Sequence, residues 1–301
     1  MSRVPLQGDE PTGNCIRHLE TLQPEIASGY PTIGDESLIH RHYAHDQLNP
    51  LTENFMQIAE KTVLITGANR GVGEALVKEA LNRGAKRVFA GTRGALTNTN
   101  PRVTPLTLDV TNTSEIQRAV GQVADLDVLI NNAGIGFADD LSDLEVIQKH
   151  LNVNLLGLLK VTQAFLPLLT RSKGAIVNIL SVTSVAPFPV IPGYSISKAA
   201  ALSLTQSLRA LLTRQGVSVH GVILGSVDTD MTRGYDIQKV SPESAAVGIF
   251  DGVEEGEEDI FPDPTSRTLA DGWRDGIAKA FERRINAVVL EGAQIDLRER
   301  L

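Results

Sequence analysis

Val63-Leu64-Ile65-Thr66-Gly67-Ala68-Asn69-Arg70-Gly71-Val72-Gly73 decides how the rest of the chain is read. Its first four residues are mostly β-branched and apolar, the mark of a short buried strand. A helix-type run from Val72 to Arg83 follows, and Gly84 stops it just past the helix end, where positive φ is cheap. Between strand and helix, glycines let the backbone turn sharply and approach a diphosphate closely. The helix that starts there offers unpaired N–H groups and the positive end of its dipole. A glycine-rich run alone says little. Seated between a strand and a helix, it stands in the context a phosphate loop requires.

Outward from this unit the same alternation repeats. Arg87–Ala90 reads as a second strand and Val103–Leu108 as a third, ending at Asp109. A helix capped by Thr113 or Ser114 runs to Val123, and Asp127–Ile130 is the fourth strand. A long helix covers about Leu144 to Thr170, with Pro167 near its end, and Ala175–Leu180 is the fifth strand. A second long helix runs from about Gly193 to Arg214 before the sixth strand, Val217–Ile223. Largely apolar strands separated by helices imply a parallel sheet covered on both faces. The fold class is therefore α/β: a single doubly wound, Rossmann-type domain. Ligands of such sheets bind beyond the carboxyl ends of the strands, and the unusual residues of this chain occur there.

The spacing Thr66-Gly67-x-x-x-Gly71-x-Gly73 resembles the short-chain dehydrogenase/reductase superfamily, and the resemblance extends from about Lys61 to Met231. It implies that Gly67, Gly71 and Gly73 bind a cofactor pyrophosphate, with Asn69, Arg70 and Val72 in the same cofactor-binding loop. Strand two ends Ala90-Gly91-Thr92-Arg93, without the carboxylate that would bond a ribose 2′-hydroxyl. Arg93 offers a bidentate contact to a 2′-phosphate, Thr92 precedes it, and Arg70 adds a second cation. The expected cofactor is NADP(H). By the same resemblance Asp109 and Val110 meet the adenine, and Asn132, Ala133 and Gly134, after Asn131, line the adenosine side. Val227 and Thr229 match positions that bind the nicotinamide carboxamide. Leu224 stands before Gly225 where the family usually has proline.

Tyr194-Ser195-Ile196-Ser197-Lys198 is a Tyr-x-x-x-Lys signature, whose i, i+4 spacing puts both side chains on one helix face. A phenol with a pKa near 10 ionises poorly at neutral pH, and a nearby ammonium is expected to lower it. Tyr194 then moves a proton while the nicotinamide moves a hydride. Ser181, thirteen residues earlier at the end of strand five, can bond the substrate oxygen as charge develops. Ser184 and Ser195 are weaker rivals by spacing. The resemblance adds that Lys198 also holds the nicotinamide ribose. Asn154 matches the catalytic asparagine, expected to hold a water that links Lys198 to solvent. Apolar residues Val185, Pro187, Phe188, Pro189, Val190 and Ile191 in one substrate loop suit a small apolar aldehyde, ketone or secondary alcohol. A non-catalytic NADP(H)-binding sensor or scaffold is the alternative, which the fold alone does not separate. An intact Ser181, Tyr194 and Lys198 favours the enzyme.

The chain has 301 residues, 42% hydrophobic and 21% charged, with a formal net charge of -8. That charge gives no case for nucleic acid or an anionic membrane as a partner. No apolar run is read as reaching the roughly 18 residues that cross a bilayer, and no secretory signal is recognised. Cys15 is the one cysteine, which fits a cytoplasmic location. Residues 1–55 form an irregular, acidic extension, with three basic against eight acidic side chains, and 56–301 the catalytic domain. His40, His42 and His45 lack the further ligands of a metal site, so no metal is expected. After Ser241 a capped helix is expected, then a solvated acidic turn over Glu254–Asp259. A helix over Thr265–Arg284 would carry Trp273, Ile277 and Phe281 on one face, before a short strand or loose tail over Val288–Leu297. The two long helices resemble those of the family's subunit bundle, which implies a homodimer or homotetramer.

Overall fold

A computed structural model describes residues 56–94, 96 and 100–291. The extension and its histidines lie outside the described residues. Seven parallel strands form one sheet in the order β3-β2-β1-β4-β5-β6-β7. They are β1 Thr62–Thr66, β2 Arg87–Thr92, β3 Val103–Thr107, β4 Val128–Asn131, β5 Ala175–Ile179, β6 Ser218–Val222 and β7 Asp259–Ile260. Successive side chains point to opposite faces, so two cores form. Val63, Ile65, Val128, Ile130 and Val177 feed one, under α1 (Gly71–Asn82). Leu64, Leu129 and Ile176 feed the other, with Phe165 and Leu169. Burial on both faces explains why the strands read as apolar runs rather than alternating ones. β1 pairs with β2 on one side and β4 on the other, and the strand order reverses there. The crevice at that switch point is where a doubly wound sheet takes its ligand.

Several expectations need correction. α2 (Thr113–Gln122) is capped by Asn112, whose side chain accepts from the N–H groups of Ser114 and Glu115, and not by Thr113 or Ser114. The long helix is α3 (Leu144–Leu151), a π-turn over Asn152–Gly157 and α4 (Leu158–Ser172). That stretch, Leu144–Ser172, is long and apolar enough by length and composition to cross a membrane, contrary to the sequence reading. Its apolar residues are spread through polar ones, which hid the run. Here Val161, Phe165 and Leu169 are fully buried against the sheet.

After α5 (Pro192–Leu212) and β6, α6 runs Pro242–Glu254 from its cap Ser241. The acidic run that follows is a solvated turn only at Glu255-Gly256. Its last residue, Asp259, begins β7 and is buried. A dipeptide strand is too short to show a period, so its neighbours had to reveal it. The helix expected over Thr265–Arg284 is two, α7 (Pro264–Arg274) and α8 (Ile277–Glu291), broken at Asp275-Gly276. The supposed stripe is divided by that break. Trp273 packs inward while Ile277 and Phe281 stay exposed, at 91% and 56%. Helix, not strand, continues to Glu291; the remainder of the tail lies outside the described residues.

Candidate active site

The glycine loop is shaped by positive φ at Gly67 (66°) and Gly71 (54°). At Gly73 the limit is space, since a Cβ there would stand 2.1 Å from the Gly67 carbonyl oxygen. The turn after β4 clamps the loop. Asn132 Nδ2 donates to the carbonyls of Thr66 (2.9 Å) and Gly67 (3.1 Å). The N–H groups of Asn132 and Ala133 both donate to Thr66 Oγ1 at 3.0 Å. The Thr66 hydroxyl, at the first position of the motif, thus ties the glycine loop to the turn after β4. No side chain caps α1, so its first N–H groups face the cleft. Asn131 turns away from the cleft. It donates to Thr162 Oγ1 and Asn178 Oδ1, and Asn178 in turn donates to Thr205, tying β4, α4, β5 and α5 together.

One cleft of about 1260 Å³ runs from this loop to the far end of the site. Gly67, Asn69, Arg70, Gly71, Val72 and Gly73 line it, as do Thr92, Arg93, Asp109 and Val110. Asn132, Ala133, Gly134, Ser181, Tyr194, Lys198, Val227 and Thr229 line the same space. Of the expected site residues only Asn154 lies behind its wall. An elongated groove with an uncapped helix end and bare glycines at one extreme fits a dinucleotide. The two arginines differ. Arg70 is ion-paired with Asp230 at 2.9 Å in an exposed bridge, worth little by itself. Arg93 stands near Asp109. Burial raises the Asp109 carboxyl, but bonds from the Thr111 hydroxyl and N–H, with the Arg93 charge, hold it below its usual range.

At the other end, β5 delivers Ser181 and the first turn of α5 delivers Tyr194 and Lys198. Ser181 Oγ accepts from the Thr183 N–H at 3.1 Å and is 8% exposed. Its rivals are occupied elsewhere: Ser184 Oγ accepts from the Ser181 N–H, and Ser195 Oγ donates to the Ile191 carbonyl. Lys198 Nζ donates to the Ile179 carbonyl at 2.7 Å and lies 5.7 Å from the centre of the Tyr194 ring. Burial pushes the Tyr194 phenol up to about 12, against the pull of the Ser181 hydroxyl. Burial pulls Lys198 down to about 8. The phenol is thus raised rather than lowered, the reverse of the expectation from an adjacent ammonium. Desolvation outweighs a charge held at this distance and bonded to a carbonyl. The site therefore holds a neutral phenol, a proton donor, at neutral pH.

Asn154 sits in the π-turn, 2% exposed. Its Nδ2 donates to the Ile135 carbonyl and to Ser197 Oγ, both at 2.9 Å, and its Oδ1 accepts from the Ile135 N–H at 2.9 Å. Both amide hydrogens are spent, one on the loop after β4 and one on Ser197 of α5, which leaves one lone pair on Oδ1 for a water. The loop before α6 has a support of its own. Asp263, at the start of α7, accepts from the Gly225 N–H at 2.8 Å. This anchor sits beside Leu224, where the usual proline is missing, and no motif marked it.

Comparison with known proteins places these features. Residues 61–239 match the model of the short chain dehydrogenase family. An uncharacterized oxidoreductase of Staphylococcus epidermidis is 36% identical over 192 residues, 60% of this chain and 84% of that protein. Estradiol 17-beta-dehydrogenase 2 of Rattus norvegicus is 32% identical over 201 residues, 61% of this chain and 52% of that protein. Among solved structures, a short chain dehydrogenase from Burkholderia cenocepacia in complex with NADP superposes with TM-score 0.70 at 34% identity. It covers 76% of this chain and 98% of its own. An NADPH-bound carbonyl reductase from chicken fatty liver superposes with TM-score 0.62 at 25% identity, over 68% of this chain and all of its own. The glycine loop, the parallel sheet and the matched residues 61–239 agree, and the chain belongs to the short-chain dehydrogenase family of oxidoreductases.

Proposed function

We propose that this oxidoreductase transfers a hydride between NADP(H) and the carbonyl or alcohol carbon of a small apolar aldehyde, ketone or secondary alcohol. The observation that carries the reading is the single cleft that joins the glycine loop to Ser181, Tyr194 and Lys198. NADPH, when bound, supplies the hydride. Gly67, Asn69, Gly71, Val72 and Gly73 hold its pyrophosphate, and Arg70 and Arg93 meet the 2′-phosphate, with Thr92 beside them. Asp109 and Val110 take the adenine, Asn132, Ala133 and Gly134 the adenosine side, Val227 and Thr229 the carboxamide. Ser181 orients the substrate oxygen by a hydrogen bond. Tyr194, a neutral phenol, gives that oxygen its proton, and Lys198 holds the nicotinamide ribose and restores the proton through a water at Asn154.

Phe188, Ile191, Met231, Tyr235 and Ile237 supply the apolar wall beyond Tyr194, which supports the substrate class. Residues 56–301 carry this activity without the extension, in a cytoplasmic homodimer or homotetramer. The test is NADPH and NADH oxidation against a panel of aldehydes, ketones and diketones. Turnover of apolar members with preference for NADPH is expected. Tight NADPH binding with no turnover across the panel would move the protein to the sensor class, and preference for NADH would defeat the arginine assignment.

A further inference from the structure

The loop after β4 lies directly on the Tyr194 ring. A Cβ at Gly136 would stand 3.3 Å from Tyr194 Cδ2 and 3.3 Å from Met231 Sδ. Two side chains one helical turn apart hold the backbone of this loop. Asn154 brackets Ile135, and His150 Nε2 accepts from the Phe137 N–H at 3.0 Å. His150 is fully buried and lies behind the cleft wall. Its ring centre is 5.4 Å from that of Phe137, tilted, and 6.2 Å from that of Tyr194, edge-on.

The bond to Phe137 fixes the tautomer. Nε2 accepts and carries no proton, so the neutral ring carries its proton on Nδ1. No hydrogen bond of good geometry reaches that atom, which has the Val146 carbonyl of its own helix near it. Nδ1 points toward Gly193, where a Cβ would lie 3.2 Å from it and 3.1 Å from Asp139 Oδ2. Asp139 in turn accepts from the Gly193 N–H, at 3.2 Å through Oδ1 and 3.1 Å through Oδ2, in the first turn of α5. The loop after β4, α3 and the Tyr194 helix therefore meet at one joint, and an absent side chain at Gly193 makes room for it.

We propose that His150 is a positioning residue for Tyr194 and a proton-sensitive latch: neutral, it seats the loop on Tyr194, and protonated, it releases the loop. A second proton on Nε2 would confront the Phe137 N–H, donor against donor, and the bond is lost. The groups facing the ring are the Asp139 carboxylate from the loop, the uncharged Tyr194 phenol from α5 and the Val146 carbonyl from its own helix. Burial opposes the charged ring and prevails over Asp139 and Val146, so the His150 pKa lies below its ordinary 6.5. The sign follows. The latch is fully set above about pH 6.5 and opens as pH falls through the lower folded value. The catalytic consequence rests on Tyr194 being the acid.

The test uses the full chain and a readout that needs no turnover. In the protein labelled with ¹⁵N-histidine, His150 is expected in the Nδ1–H tautomer with a midpoint below 6.5, and the Phe137 amide is expected to shift with the same midpoint. Titration at or above 6.5, or a Phe137 amide indifferent to it, overturns the latch. Kinetics supply the second arm. His150→Leu removes the acceptor and should lower kcat/KM about 10-fold above the His150 midpoint, with the NADPH Kd unchanged, and the deficit should shrink at lower pH, where the unmodified latch is already open. His150→Gln restores an acceptor that does not titrate. It should recover most of that loss and erase the acid limb of kcat/KM expected of the unmodified enzyme. An acid limb that persists in His150→Gln also overturns the proposal. A correct His150 titration in a protein that turns over nothing would sink the proposed function and leave the latch standing.

Discussion

Lys198 and Lys279 are both buried, at 6% and 3% exposure, yet one meets a neutral carbonyl and the other three carboxylates. Lys198 donates to the Ile179 carbonyl and has no countercharge among its close contacts, so burial brings its pKa to about 8. Lys279, on α8, lies 2.8 Å from Asp259, 3.0 Å from Glu258 and 3.1 Å from Glu282. Arg209 from α5 closes the cluster at 2.7 Å to both Asp259 and Glu282, and the Trp273 indole N–H donates to Asp259 at 2.7 Å. Burial raises the Asp259 carboxyl, but Arg209 and Lys279 hold it below its usual range. The difference teaches how a fold handles buried charge. A cation left with a dipole stays able to titrate near working pH and can serve proton transfer. A cation matched to carboxylates is held in place by them and serves as a fastener for α8.

The largest expected effect breaks the reactive side of this comparison. Tyr194→Phe should lower turnover by roughly 10²–10⁴-fold, the range for loss of a positioned proton donor, with NADPH affinity nearly intact. Steady-state rates with a fluorescence titration of NADPH check it, and substantial residual turnover would remove Tyr194 from its role. Breaking the locked side should cost stability instead. Lys279→Met leaves buried carboxylates short of a cation and should cost about 3–5 kcal/mol in chemical denaturation. The Asp259 and Glu258 carboxyls both stand below their usual values. Their contribution is present above the ordinary carboxylate range and is lost as pH falls through the lowered values, so the variant should also lose part of the acid sensitivity of folding.

A smaller effect tests the cofactor end without touching either lysine. Gly73→Ala puts a methyl against the Gly67 carbonyl, and overpacking of about 1–3 kcal/mol should weaken NADPH binding roughly 10- to 100-fold. Calorimetric Kd values near wild type would show that the loop gives way easily. The finest test follows Lys198 itself. With its pKa near 8, carbonyl reduction at saturating NADPH should fall to half in the region of pH 8 as its proton is lost. A rate flat from pH 7 to 9.5 would show that the proton on Lys198 does not matter to the slow step.

Much of the site was legible because its residues are close in sequence or tied to a strand end. Gly67, Gly71 and Gly73 fall in one loop, Tyr194 and Lys198 on one turn of one helix, and Ser181 at the end of β5. What escaped the sequence depends on partners far along the chain. His150 carries no motif of its own, and only its contact with Phe137 gives it a task. Asp263 reaches Gly225 across 38 positions. Asp259 looked like part of a solvated acidic run, because nothing near it in sequence announces Arg209 or Lys279.

The sequence by itself determined the alternating α/β order, the parallel sheet, the phosphate loop and the family, since these follow from periodicity and short spacings that local backbone physics enforces. Tertiary structure alone decided the protonation of the site. Whether Tyr194 is a phenol or a phenolate depends on how much water the assembled walls exclude and where the Lys198 ammonium comes to rest. Burial and distance are properties of the packed molecule, and they turned the expected direction of the Tyr194 shift around.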